Sequence, residues 1–112
     1  MNESILTSIK KLLGISEEYE HFDHDIVMHI NSVFVILNQL GVGPEECFSI
    51  YDESVAWSDF LGENKNLELI KSYMYLKVRL MFDPPASGTI LESYNRQINE
   101  LEWRINVMAD HS

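Results

Sequence analysis

Apolar residues recur along this chain at helical spacing, in four stretches divided by turn-forming residues. In the first, Ile5, Ile9 and Leu12 repeat with Leu6 and Leu13 beside them, Lys10 and Lys11 sit in the last turn, and Gly14 stops the helix. This predicts a helix over about residues 3–13. The second starts within "HFDHDIVMHI". Asp23 is expected as its N-cap, with Phe22 and Val27 as a hydrophobic staple. Its buried stripe is Ile26, Ile30, Val33, Leu37 and Leu40, and "GVGP" ends it. A third helix is predicted over Leu67–Phe82, stopped by "DPP", since proline disfavours the α conformation in the preceding residue and cannot extend the hydrogen-bond ladder. The fourth opens with a Thr89–Glu92 capping box. It carries Leu91, Tyr94, Ile98, Leu101, Ile105 and Met108 at alternating spacings of three and four, a seam for lengthwise packing on a partner.

Between the second and third helices, Gly41 to Asn66 lacks helical period. "CFSI" and "SVAW" alternate as two short strands around a "YDES" turn, which predicts a hairpin-bearing arm. The expected fold is therefore mainly α: one domain over residues 1–112, with four helices and a long hairpin-bearing loop between helices 2 and 3.

Composition narrows the function. At 112 residues and 46% hydrophobic content, the chain suffices for one compact domain that buries roughly two-thirds of its unfolded surface. Eighteen acidic against eight basic residues give a formal charge of -10, which opposes any binding mode built on neutralising phosphates. Seven of the eight basic residues, Lys10, Lys11, Lys71, Lys77, Arg79, Arg96 and Arg104, form no basic stripe. An acidic surface is nonetheless suited to lie beside DNA without gripping it. Cys47 is the single cysteine, so neither an intrachain disulfide nor a CxxC site is possible, and the chain reads as intracellular. No signal peptide or membrane-spanning run is recognisable.

The histidine cluster is the strongest chemical candidate, and it fails on geometry. His24 and His29, five residues apart, point roughly 140° from each other around a helix. Asp25 and His29 share a face, but zinc takes three or four ligands. Neither Cys47 nor any serine sits in a nucleophile motif. No catalytic residue, cofactor or metal is expected.

The apolar surplus is more informative. Val33, Phe34, Val35, Ile36 and Leu37 are consecutive, so they reach every side of their helix and require cover all round. "YMYL" and "LMF" repeat this in the third helix. Trp103 lies opposite the seam of the fourth, with Val107 one turn later. A small domain has difficulty covering all these faces from within, and interfaces favour aromatic and methionine side chains at their centres. Self-association into a ring or dimer is the expectation.

The order "ILTSIKKLLGI", acidic linker "SEEYEHFDHD", apolar helix "IVMHINSVFVILNQLG", long arm and "LELIKSYMYLKVRLMFDP" resembles the head-tail connector (adaptor) proteins of tailed bacteriophages and prophages, over about residues 5–83. The resemblance implies a structural virion protein of the neck, present in the host cytoplasm during assembly. It implies a homo-oligomeric ring, commonly of twelve copies, that meets the portal protein and tail or neck proteins and lets DNA pass without sequence-specific binding. Carried over by position, the arm's contacting side chains are Phe48, Ile50, Trp57 and Phe60, and the C-terminal ones Trp103 and Val107; Phe34 and Val35 join them from the apolar run. The alternatives are a small intracellular helical adaptor or regulator acting by protein contacts, and a metal-dependent enzyme using Asp25 and His29.

Overall fold

The computed structural model describes residues 3–62 and 66–110. They form five helices, α1 (Ile5–Leu12), α2 (Asp23–Gln39), α3 (Trp57–Leu61), α4 (Leu67–Phe82) and α5 (Gly88–Asp110). Among the described residues there is no sheet, and one isolated antiparallel bridge joins Ser4 to Ala56. The four predicted helices are α1, α2, α4 and α5; α3 is additional.

α4 is the centre. Its buried residues Ile70, Tyr73, Met74, Leu76 and Val78 cover an arc of roughly 200° at 100° per residue, too wide for a single neighbour. α2 and α5 both pack along it, α1 closes against α2 and α4, and α2 and α5 make no comparable contact with each other. The outer faces of α2 and α5 therefore lie on different flanks of α4. The core joins Ile26, Ile30, Val33, Phe34 and Leu37 of α2 to the buried side of α4 and to Ile98 and Ile105 of α5.

α1 has eight residues, and isolated helices shorter than about 12 residues are marginal in water. Its neighbours hold it. Ser4 caps it, accepting from the Thr7 amide at 3.2 Å, and Ile5, Leu6 and Ile9 enter the core. Lys10 stands in the last turn of α1, as predicted, and is also buried, with 2% of its surface exposed. Its ammonium donates to the carbonyls of Glu17 (3.1 Å) and Tyr19 (2.7 Å) and pairs with the Asp23 carboxylate at 2.7 Å. The acidic linker is thereby folded back over the end of α1.

This contact overturns the predicted start of the second helix. Phe22, not Asp23, occupies the N-cap, and no side-chain cap bond forms there. The Asp23 carboxylate turns to the lysine because an ammonium removed from water needs a counter-charge more than a helix end needs one acceptor. Phe22 packs edge-on against Phe82, with ring centroids 5.3 Å apart, which ties the start of α2 to the end of α4.

The hairpin is not formed. Residues 47–55 run without strand pairing, and Trp57 begins α3. The arm's backbone finds its partners elsewhere. The Asn31 side chain of α2 takes both polar groups of Ile50, donating to its carbonyl at 2.9 Å and accepting from its amide at 2.8 Å. The amide of Ile5 donates to Val55, and that of Trp57 to Glu3. Asp59 accepts from the Ala56 amide at 2.9 Å and so caps α3. At Ile50 and Val55 these bonds stand where a hairpin ladder would.

α5 starts at Gly88, one residue before the predicted Thr89–Glu92 box, with the Ser87 hydroxyl accepting from the Ile90 amide at 3.4 Å. The Tyr73 hydroxyl donates to the Glu102 carboxylate at 2.6 Å and fixes its register on α4. Tyr73 is nine residues from the end of α4 and Glu102 fourteen from the start of α5. The first turn of α5 thus overhangs α4 by about five residues, roughly 7 Å. The predicted seam is accordingly covered at Ile98 and Ile105, half-buried at Tyr94, Leu101 and Met108, and open at Leu91.

Two outcomes follow from the buried polar contacts. Lys10→Met is expected to lower stability by about 2–4 kcal/mol, because it strands two carbonyls and a carboxylate at the linker; urea unfolding measures it. For Tyr73, burial, and then the hydrogen bond and charge of Glu102, push the hydroxyl well above its ordinary value. A raised folded pKa stabilises fully below the unfolded value near pH 10 and is lost as pH rises above it. Native protein should therefore lose stability above about pH 10, and Tyr73→Phe, about 1–2 kcal/mol less stable at neutral pH, should lose less of what remains.

Candidate assembly surfaces

The eight side chains predicted for an interface separate into two groups. Phe34, Ile50, Trp57 and Phe60 lie in the protomer's own core. Phe34, Phe48 and Phe60 form an aromatic trio with centroids 4.6–5.1 Å apart, and Ile50 is held by Asn31. The Trp57 indole N–H donates to the buried Ser8 hydroxyl at 2.8 Å, and that hydroxyl donates to the Ile5 carbonyl. This corrects the reading of the arm as an outward contact element. Its large apolar groups fill the space between α1 and α2, which a hairpin standing off the body would leave open.

The second group offers surface. Trp103 is 68% exposed and Val35 46% exposed, Val107 is exposed beside Trp103, and Phe48 is half-buried at the edge of the trio. Met28, absent from the prediction, is 56% exposed. It lies seven residues before Val35, hence on the same side of α2, a spacing that was visible in the chain. Ile90 and Leu91 are exposed on the overhang of α5.

The face of α2 between Met28 and Val35 carries no charged side chain. Ser32 lies between them and turns its hydroxyl back onto the Met28 carbonyl at 3.1 Å. Ile26 to Pro44 contains no Asp, Glu, Lys or Arg, although 23% of the chain is charged; exclusion of charge characterises the centre of an interface.

Charge gathers elsewhere. Residues 1–62 hold eleven acidic and two basic residues, and residues 66–112 six and five. Glu17, Glu20, Asp23 and Glu53 border one shallow recess, and Asp23, Asp52 and Glu53 the next, so the linker and arm share an acidic edge. On it a hydrogen bond from Ser16 holds the Glu18 carboxyl below its usual range, and one from Ser54 does the same for Asp52.

Among the described residues, no group of three or more His, Cys, Asp or Glu side chains is placed to hold a metal ion. His29 faces Phe82, with centroids 6.5 Å apart, while His24 and Asp25 are exposed. No described helix is long and apolar enough to cross a membrane.

A family model described as phage connector protein matches residues 5–112. The chain belongs to the phage connector protein family. The match runs beyond residue 83 through the whole of α5, so the last helix is part of the connector domain. No curated protein and no solved structure gives a match. A connector protein is a structural component with partners among the head and tail proteins of the virion.

The packing of the arm is testable in this connector protein. Gly43 has a φ of +87°, and a Cβ there would overlap the Phe60 ring. Gly43→Ala should destabilise the fold by about 2–4 kcal/mol, from left-handed backbone strain plus displacement of that ring. Urea unfolding, with near-ultraviolet dichroism reporting the aromatic trio, measures the effect.

Proposed function

We propose that this connector protein is a ring-forming neck subunit whose copies assemble between portal and tail and leave a passage for DNA, twelve copies being the expected number. The observation that carries the reading is the pair of exposed apolar helical faces, Met28 and Val35 on α2 and Trp103 and Val107 on α5, on different flanks of α4. A subunit with one such face closes into a dimer. Two different faces on different flanks suit a head-to-tail contact, which repeats and closes into a ring when its rotation permits.

The acidic edge supports the second half of the proposal. With Glu17, Glu18, Glu20 and Glu53 toward the opening, a ring would present like charge to passing phosphates. Such a wall gives DNA no counterion-releasing contacts to hold it.

Light scattering of the purified chain, alone and with portal protein, together with electron microscopy of the product, tests the proposal. Closed rings with a central opening are the expected result. A chain that stays monomeric at high concentration even with portal present overturns it.

A further inference from the structure

We propose that the ring contact is made by α5 of one copy lying along α2 of the next in parallel register, with Trp103 seated over Ser32. This deepens the ring reading and rests on it; the occupant of the charge-free α2 face is a second copy of this chain.

Three observations select that occupant. The first is shape. Ser32 is the small residue of an exposed stripe, flanked by Met28 and Val35, and its hydroxyl is already bonded to its own helix. Its small side chain leaves room for an indole between Met28 and Val35, and its hydroxyl oxygen can accept from the indole N–H. Trp103 is the most exposed large apolar side chain of α5 and stands opposite its seam.

The second is register. On α2 the stripe begins at Asp25, seven residues before Ser32; on α5 the outer side carries Arg96, seven residues before Trp103. Both steps span roughly 10 Å of helix and return to nearly the same side. With Trp103 over Ser32 in parallel alignment, exposed Arg96 comes beside exposed Asp25, and Val107 falls beside Val35. Opposite charges and apolar groups match along about three turns.

The third is the charge of the two halves. Joining α2 to α2 would bring together two parts that each hold eleven acidic and two basic residues. Joining α2 to α5 sets that half against one with six acidic and five basic residues, where repulsion is least. Like-charge opposition thus selects the head-to-tail contact over the two-fold one.

Disulfide trapping tests the pairing in the full-length chain. Cys47 is exposed and is first replaced, Cys47→Ser, so that only introduced thiols react. In that background Val35→Cys and Val107→Cys together should give, on mild oxidation, a ladder of dimers, trimers and larger species. Mixing the two single variants should give only the mixed dimer. Efficient homodimers from either single variant would show a two-fold contact and overturn the proposal.

A second measurement uses charge. Arg96→Glu should weaken self-association at least about tenfold, and adding Asp25→Arg to the same chain should restore it; weakening without restoration overturns the register. If the native chain forms rings in light scattering but the double-cysteine variant gives no ladder, the pairing of faces falls and the ring reading stands. If no assembly forms under any condition, both fall.

Discussion

The ammonium of Lys10, withdrawn from water and held by two linker carbonyls and the Asp23 carboxylate, is the contact around which the amino-terminal third closes. A helix as short as α1 has little stability of its own. Once its last turn is tied to the linker and to the first residue of α2, the angle between α1 and α2 is set. The groove between them then accepts the arm. The lysine acts here as a fastener more than as a source of net stability, since desolvating a charge offsets much of what its partners return.

The arm completes what the lysine begins. Asn31 engages the backbone of Ile50 as a neighbouring strand would, and Ser8 receives the indole of Trp57. Two polar residues within apolar stripes thus decide where some of the largest side chains of the arm go. Gly43 permits the closest approach, with the Phe60 ring lying where any side chain would stand. The arm is therefore a structural part of the protomer, and the surfaces available for assembly are the outer faces of α2 and α5.

Those faces and the charge distribution are consequences of one arrangement. With α4 at the centre, α2 and α5 each bury one side and leave the other open on separate flanks. The acids gather on the linker and arm, away from the uncharged length of α2. A member of a connector family built this way carries exposed apolar helix faces and, on its linker and arm, an acidic edge.

The sequence alone was enough for the helical class, the bounds of α4 and the surplus at Val35, Trp103 and Val107, because helical period and proline stops are local signals written in consecutive residues. The order of linker, apolar helix and arm was also sufficient to suggest the family. Only the tertiary structure decided that Asp23 serves Lys10 instead of capping a helix, and that the arm forms α3 and no hairpin. It also decided that Phe34, Ile50, Trp57 and Phe60 face inward. Each of these depends on a partner far away in the chain: a lysine thirteen residues earlier, an asparagine nineteen residues earlier, a serine forty-nine residues earlier. Alternation in "CFSI" and "SVAW" records only that one side of a segment is apolar. Whether that side meets its own protomer or another copy is settled by which buried polar groups find partners when the chain closes.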